Sequence, residues 1–583
     1  MRLSMKIAVP FSAAYPDEEP KSLNEYLEGI SKQKLLKIGA FFLGFKNRSS
    51  AYSHPHSFLN MFFSEQNIDE AKRIATNLEQ FVAQDSTSLE TYEIPYVVSS
   101  LSFFEFVFDN IEDDVEDSLS NEEMEKNILK AYLLLNENNT KEKGEIASES
   151  TKDFHITRKP ASILLSLQLH NNDLTNYYYD KLFSTQLIRA MLFFEFLESQ
   201  EVSQHLLENF YNKYEVKDYK EYLKRTISLA IIVINSDKEA HTDITIDNPE
   251  ERKEDIEFLE KFIVANDEVL EDTDYRKIRS TPIYKIEEGK YRIISPMFVI
   301  EMIYNGLYWK FRPINDQLPK GQKIKNFYDF KTYDFSEKYV LHRILKEYFG
   351  NRYFQKNGEE LDAMCSGAPD YYVRNGKRIF LFESKDIMLS AEVKQSSDYS
   401  IIEKELVKKL YKKEDDTPKA VIQIIRNVER ILKGELEFDS RLKPNRVIVH
   451  PILVLHYRMF NVGGLNKVIN FWFQDELQKL NESGLDTSRI KPLTIIDVDT
   501  LIFNKDVFSS RKLSLEECLS EYQDDYINFT VKGRKYNNEE EAIQANKNSY
   551  IPFSSYLDEK IDKLNLRSIP IELKEKGYGI FDA

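Results

Sequence analysis

The dipeptide Asn375-Gly376 is the feature of this sequence that most constrains its fold. It stands between residues 371–374 and 377–382, two short runs rich in aromatic and β-branched residues, which favour β-strands. A two-residue type I′ turn needs a positive φ at both central positions, and Asn-Gly tolerates this best. The sequence therefore predicts a β-hairpin in which Arg374 pairs with Lys377.

The register of this hairpin predicts which side chains share a face. Counting outward from the turn places Asp370 opposite Leu381. Paired residues share a face of the sheet, and so do alternate residues along one strand. Asp370 is therefore expected on the same face as Glu383 and Lys385, whereas Phe382 points to the opposite face. A slip of one residue would separate these three charges.

The region around the hairpin alternates helical patterns with strong β segments. Residues 335–348 predict a helix, and residues 378–384, 446–457 and 493–503 have the composition of strands. Such alternation favours an α/β domain with a mixed central sheet. We place this domain at residues 321–583.

The N-terminal half is predicted to be mainly α-helical, which makes the chain multidomain. Apolar residues recur at helical spacing in many segments, and we divide this half into regions 1–140 and 150–320. The polar stretches 136–153 and 235–255 have the composition of linkers. The second region is expected to end in a hairpin through Gly289, followed by a helix that Ser295 caps before Pro296.

The charge is divided unevenly along the 583 residues. The formal net charge is −18, yet residues 321–480 hold 28 Lys and Arg against 23 Asp and Glu, a net of +5 that leaves −23 for the remainder. A mildly basic region can approach nucleic acid, whereas an acidic one repels bare polyphosphate. We therefore expect nucleic acid at the C-terminal domain, and a protein partner or self-association through the acidic N-terminal half.

Composition also excludes several classes of protein. The only cysteines are Cys365 and Cys518, so the chain has neither a disulfide framework nor a multi-cysteine zinc site. No apolar run approaches the roughly 20 residues of a membrane helix, and residues 1–10 lack the apolar core of a signal peptide. We expect a cytoplasmic protein with no membrane partner.

The chemistry of the predicted hairpin end points to a metal ion. Two adjacent carboxylates, Asp370 and Glu383, repel each other near a core. A divalent cation that prefers oxygen ligands, Mg²⁺ or Mn²⁺, resolves this conflict. A lysine beside it, Lys385, can orient a water molecule and offset charge on a phosphate. These properties suit the hydrolysis of phosphodiester bonds.

Pro369-Asp370, twelve intervening residues and then Glu383-Ser384-Lys385 resemble the signature of the PD-(D/E)xK, or restriction-endonuclease-like, nuclease superfamily. The resemblance covers the hairpin closely and residues 325–500 loosely, and it identifies no subfamily. It implies an αββαβ core with Mg²⁺ as the usual cofactor. By this resemblance Asp370 and Glu383 are metal ligands, the Ser384 carbonyl completes the shell, and Lys385 positions the water.

Two functions remain open at this stage. The first is a metal-dependent nuclease, with DNA favoured over RNA, whose N-terminal half acts as a sensor or binds a partner. By resemblance, such multidomain nucleases are frequent in bacterial restriction and anti-phage defence. The alternative is a non-catalytic assembly or scaffold protein that retains a nuclease-like fold. In that case the hairpin end is a salt-bridged structure in which Lys385 pairs with Asp370 and Glu383.

Glu337 is a candidate fourth residue of the site. Helical spacing places it on one face with Leu341 and Ile344, so it is expected to face the sheet. Many members of the superfamily carry an assisting acidic residue on their first helix, and Glu337 matches that position. The alternative is structural, since Asp334 and Glu337 have the spacing of a capping box.

Further residues are candidates for contact with nucleic acid. Gln395 and Tyr399 have the Q-x-x-x-Y spacing of the exonuclease branch of the superfamily, although Ser396 stands where an apolar residue is typical. A basic run nearby could contact the phosphate backbone or could simply form a solvated helix face. Its first members are Lys404, Lys408 and Lys409. A second E-x-K, Glu392 to Lys394, lacks a preceding apolar strand and is expected to be a decoy.

Overall fold

The computed structural model describes residues 6–44, 54–84, 88–175, 178–235, 241–265, 268–364, 367–528 and 539–581. Cys365 and the first five residues, for which predictions were made, lie outside these ranges. Cys518 is a buried free thiol. In the part of the chain described, no helix combines the length and apolarity needed to cross a membrane.

The first half of the chain is helical, as predicted. Two short strands, β1 (Ile7–Ala8) and β2 (Tyr92–Glu93), pair in parallel within it. The α-helices of this half are Phe11–Ala14, Leu23–Leu27, Lys32–Gly44, Pro55–Phe62, Ile68–Gln84, Val97–Asn110, Asn121–Ser150, Lys159–Leu174, Tyr179–Ser199, Gln204–Tyr214, Tyr219–Asn235, Lys253–Glu260, Arg276–Ser280, Pro296–Glu301 and Leu307–Gln317.

The predicted linker at residues 136–153 is wrong, because the helix Asn121–Ser150 runs through it. Its polar residues make tertiary contacts that composition does not show. The fully buried Asn136 side chain donates to the carbonyls of Val9 and Ile94 at 3.1 and 2.9 Å. The helix therefore crosses the boundary predicted at residue 140, and the division into three regions stays a prediction.

The second predicted hairpin is confirmed, and a third strand pairs with it. β4 (Ile283–Glu287) and β5 (Lys290–Ile293) flank a turn in which Gly289 has a φ of +71°. The Ser295 side chain caps the helix Pro296–Glu301 by accepting from the Phe298 amide. β3 (Asp243–Thr245) pairs antiparallel with β5 inside the stretch predicted to be a linker.

The C-terminal half contains a five-stranded mixed sheet. Its strands are β6 (Phe354–Asn357), β7 (Tyr371–Asn375), β8 (Arg378–Lys385), β9 (Ile448–Leu455) and β10 (Thr494–Asp497), in the spatial order β10-β9-β8-β7-β6. β6, β7 and β8 are antiparallel, whereas β8, β9 and β10 are parallel. The coarse prediction of a helical half followed by an α/β half with a mixed sheet is thus confirmed.

The helices around this sheet cover both of its faces. They are Phe327–Asp329, Phe330–Leu341, His342–Phe349, Gly358–Asp362, Ala391–Gln395, Tyr399–Leu406, Val407–Tyr411, Ala420–Lys433, Leu465–Glu482, Val498–Phe503, Lys505–Ser509, Leu515–Tyr522, Gln523–Ile527, Glu539–Asn548, Phe553–Lys563 and Ile571–Phe581. The strand predicted at 493–503 ends early, because Asp497 accepts from the Thr500 amide and caps the helix Val498–Phe503.

The two faces of the sheet belong to separate apolar cores, as strand alternation requires. Tyr371, Phe380 and Phe382 lie in a core that includes residues from Ala8 to Ile580. Tyr372, Ile379 and Leu381 lie in the other core, with the helix Ala420–Lys433. The first core joins the N-terminal helices to the sheet, so the boundary predicted at residue 320 passes through a shared apolar interior.

A continuous helix spanning residues 327–349 lies across the face of the sheet that carries Tyr371, Phe380 and Phe382. It begins at Phe327, after the N-cap residue Asn326, whose side chain accepts from the Asp329 amide. The helix is π-helical over Phe330–Leu341. Asp334 therefore lies inside the helix, and the predicted capping box from Asp334 to Glu337 is wrong. The buried Lys331 Nζ contacts Asp386 Oδ2 at 2.6 Å and fixes this helix to the residue that follows β8.

Replacing Lys331 by methionine tests this attachment. The variant keeps the length of the side chain but leaves Asp386 buried without its cation, which should cost about 3–5 kcal/mol of unfolding free energy. Lys412→Met is the control, because its pair with Asp416 has side chains 45% and 80% exposed and should contribute almost nothing. Urea unfolding measures both, and equal losses would show that Lys331 does not anchor the helix.

Candidate active site

The β7–β8 hairpin forms with a register that differs from the prediction. Tyr371 pairs with Phe382 and Asn375 with Arg378, so the loop consists of Gly376 and Lys377. Gly376 has a φ of +58°, and Asn375 has no positive φ, which is the pattern of a type II′ rather than a type I′ turn. The predicted pairing of Arg374 with Lys377 is therefore wrong.

The predicted face survives this correction. Each residue of β7 faces a partner two positions further along β8 than predicted, and a shift of two preserves the face. Continuing the ladder by one step brings Asp370 to Glu383 instead of Leu381. Asp370 Oδ2 accepts from the Ser384 amide at 2.6 Å, which fixes it beside the end of β8.

The structure brings the three predicted charges together. The Lys385 Nζ donates to Glu383 Oε1 at 2.6 Å, and the Glu383 side chain is only 1% exposed while that of Lys385 is 19% exposed. Burial would lower the pKa of Lys385, but Glu383 and Asp370 more than offset this and raise it. The lysine is thus held as a cation between two carboxyl groups.

Glu337 reaches the same place from the π-helical segment. Burial raises its pKa to about 9, Asp370 and Glu383 add to the shift, and Lys385 opposes it. Glu337 does not act as a capping residue. Its carboxyl group interacts electrostatically with the charged groups at the hairpin end. The helix that carries it is irregular at this point, and π-helical segments occur frequently at functional sites.

The carboxyl groups of the site are crowded. Burial followed by the Asp370 charge raises the pKa of Glu383 to about 8. Burial also raises the pKa of Asp370, against the opposing effect of Lys385. Asp362 contributes to both shifts. A site with this surplus of carboxyl groups and one lysine attracts a further cation.

The donor set fits Mg²⁺ in chemistry but not as a closed cage. Asp370 and Glu383 offer hard oxygen ligands, and Mg²⁺ is usually held by one or two carboxylates with its remaining positions taken by water or phosphate. Within the described ranges, no group of three or more His, Cys, Asp or Glu residues is placed to hold a metal. The part assigned to the Ser384 carbonyl stays a prediction.

The predicted nucleic-acid contacts divide into two groups. Tyr399 is fully buried, with its ring 5.2 Å from that of Phe154, so its prediction as a contact is wrong; it is a core residue. Gln395 is half-buried. Lys404 and Lys408 are exposed, whereas Lys409 is half-buried and pairs with Glu405 at 3.2 Å.

Sequence reasoning missed Lys419, which precedes the helix Ala420–Lys433. Burial lowers its pKa, and the charges of Lys413, Lys385 and Lys409 lower it further. Lys419 thus joins the basic run to the hairpin end, a relation that only the tertiary structure shows. In the second E-x-K, Lys394 is buried and pairs with Asp173 at 2.7 Å, and the decoy stays a prediction.

Comparison with protein-family models, with curated proteins and with solved structures gave no match. The case for a function therefore depends on the site itself.

The pH dependence of stability tests the crowding at Glu337. Its folded pKa of about 9 exceeds the ordinary value of 4.5, so the folded state binds the extra proton. This contribution to stability is complete below pH 4.5 and is lost as pH rises to about 9. Glu337→Gln stays neutral, so from pH 5 to 8.5 it should lose less stability than the wild type, by on the order of 1–3 kcal/mol.

Urea unfolding at both pH values measures this difference. Glu414→Gln is the control, because Glu414 is exposed and its replacement should leave the wild-type pH dependence unchanged. If Glu337→Gln and the wild type lose stability in parallel, Glu337 does not belong to the charged cluster.

Proposed function

We propose that this protein is a metal-dependent nuclease that hydrolyses phosphodiester bonds, with DNA as the favoured substrate. The observation that carries the proposal is the meeting of Asp370, Glu383 and Lys385 at one end of a hairpin, with Glu337 added from the crossing helix. Paired carboxyl groups beside a lysine are the set that metal-assisted phosphodiester hydrolysis needs.

The order of the elements supports this proposal. The helix of residues 327–349 precedes the β7–β8 hairpin, and the helix Ala420–Lys433 then connects β8 to the parallel β9. This order is compatible with the αββαβ core that the resemblance to PD-(D/E)xK nucleases implies, with β6 and the helix Gly358–Asp362 inserted before the hairpin. Fold alone does not establish an activity, so the weight rests on the charged groups at the hairpin end.

Each residue of the site has a task in this proposal. Asp370 and Glu383 would hold Mg²⁺ or Mn²⁺. The cation would supply positive charge against the scissile phosphate and polarise its oxygen. Lys385, already held by Glu383, would orient the attacking water and stabilise the charge that develops on the phosphate. Glu337, which shares the buried surroundings of Asp370 and Glu383, would donate or accept a hydrogen bond there.

The surroundings of the site favour a polyanionic substrate. Lys419 lies near both Lys385 and Lys413, and the exposed Lys404 and Lys408 continue the basic surface. Such lysines hold a phosphate backbone without reading its sequence. The acidic remainder of the chain would keep nucleic acid at this region, and a restrained nuclease of restriction or anti-phage defence is the biological role we propose by analogy.

One observation favours a second candidate function. Since the described residues contain no group of three or more metal-binding side chains, the hairpin end also suits a salt-bridged structural element. The protein would then be a non-catalytic assembly protein that retains a nuclease-like fold.

A cleavage assay decides between the two. Plasmid, linear DNA and RNA are incubated with the wild type, Lys385→Ala and Lys377→Ala, in Mg²⁺, Mn²⁺ or EDTA. We expect cleavage that EDTA abolishes and that Lys385→Ala reduces by about 100-fold or more. Lys377 is exposed in the turn of the same hairpin, so Lys377→Ala should retain full activity.

Metal binding is measured separately, by the shift of the thermal unfolding midpoint on adding Mg²⁺. Cleavage and a Mg²⁺ shift that Asp370→Asn removes would support the nuclease. No cleavage of any substrate, together with a Mg²⁺ shift that Asp370→Asn leaves intact, would refute it in favour of the assembly protein.

A further inference from the structure

A polar cavity of about 450 Å³ lies between the N-terminal helices and the carboxyl ends of β9 and β10. Its walls come from the helices Asn121–Ser150, Lys159–Leu174 and Tyr179–Ser199 on one side, and from the segments after the two strands on the other. The volume falls in the range of roughly 300–1,000 Å³ typical of small-molecule sites. Parallel sheets commonly bind ligands at the carboxyl ends of their strands.

Most charges on the cavity wall are already compensated. Lys181 pairs with Asp558 at 2.9 Å, and Arg189 holds Asp499 at 3.0 Å. Arg458 pairs with Glu301 at 2.9 Å. Each of these ion pairs is electrically neutral, so none of them offers a free charge to a ligand.

Lys143 is one of three charged groups on the wall, with Lys6 and Asp497, that form no ion pair within the described residues. Among the described residues no carboxylate lies within ion-pair distance of its ammonium group, and burial lowers its pKa to about 8. An uncompensated lysine that loses its hydration costs stability unless an anion joins it. Its position on the cavity wall makes the cavity the place where that anion would bind.

The rest of the wall is rich in amides and suits a ligand with many hydrogen-bonding groups. Asn171 Oδ1 is buried and has no hydrogen-bond partner within the described structure, although buried acceptors normally have one. Four other amides also line the cavity: Asn139, Gln168, Asn172 and Asn461. Side-chain amides offer both donors and acceptors, as the edge of a nucleobase or the hydroxyls of a sugar require.

We propose that this cavity binds a small phosphorylated ligand of mononucleotide size, with its phosphate on Lys143 and its base or sugar on the amide wall. An anion at Lys143 supplies the missing countercharge, and a donor from the ligand satisfies Asn171. This is a second site, separate from the candidate active site, and it does not depend on the proposed nuclease activity.

A hydrogen-bonded chain joins the cavity to the hairpin end. Asp499, on the cavity wall, binds Arg189 at 3.0 Å, and Arg189 donates to the His456 carbonyl at 3.0 Å. The His456 ring lies 2.9 Å from the Ser384 hydroxyl, between Glu383 and Lys385. A ligand that moves Asp499 therefore acts on residues that hold the candidate active site.

Calorimetric titration of the full chain in EDTA tests the proposal, with adenosine 5′-monophosphate, adenosine and inorganic phosphate as probes. We expect the nucleotide to bind with 1:1 stoichiometry and adenosine to bind at least tenfold more weakly. Lys143→Met should reduce nucleotide affinity at least tenfold and raise the thermal unfolding midpoint, because it removes an uncompensated charge. Lys141→Met, an exposed lysine on the same helix, should change neither.

Two further variants keep the outcome decisive. Asn171→Ala should weaken binding of the nucleotide but not of inorganic phosphate. Lys385→Ala should leave nucleotide binding intact. A loss of binding in this variant would show that the phosphate is held at the hairpin end and not at Lys143. Equal affinity for nucleotide and adenosine, undiminished binding in Lys143→Met, or no binding of the nucleotide at all would overturn the proposal, whether or not the protein cleaves nucleic acid.

Discussion

The buried ion pair of Lys331 and Asp386 holds together the parts on which the candidate site depends. Asp386 follows Lys385 at the end of β8, and its Oδ2 also accepts from the Ser336 hydroxyl at 2.5 Å. Burial would raise the pKa of Asp386, but Lys331 more than offsets this and lowers it. Because both partners are buried and charged, the helix carrying Glu337 cannot shift along β8 without separating them. The ion pair of Lys331 and Asp386, which lies outside the charged cluster, therefore fixes the geometry of that cluster.

The parallel arrangement of β8, β9 and β10 concentrates polar groups at one edge of the sheet. The carboxyl ends of these strands carry Lys385, His456 and Asp497 in turn. Burial lowers the pKa of His456 to about 3, so its ring is neutral beside the Ser384 hydroxyl. The candidate active site and the polar cavity thus share one edge and one set of buried contacts.

The local parts of this structure could be predicted from the sequence, and the parts set by tertiary contacts could not. The hairpin and its faces follow from strand composition and a glycine turn. Composition does not distinguish an Asn-Gly loop from the Gly-Lys loop that forms, in which Asn375 has no positive φ and pairs with Arg378. The helix through Asn136 depends on its hydrogen bonds to two distant carbonyls. Likewise, Tyr399 has the spacing of a binding residue, and only packing shows that it belongs to the core.

Both proposed sites depart from the rule that buried charge is paired. At the hairpin end, burial and then the charge of Asp370 raise the pKa values of Glu337 and Glu383. At the cavity, Lys143 lacks an anion. Other buried charges of this chain are paired, as for Arg189 with Asp499 and Lys394 with Asp173. Apolar residues would stabilise the fold more at both places, and such local conflicts are expected where a protein binds a partner that the bare chain lacks. The conflicts have opposite sign: the hairpin end calls for a cation, and the cavity calls for an anion.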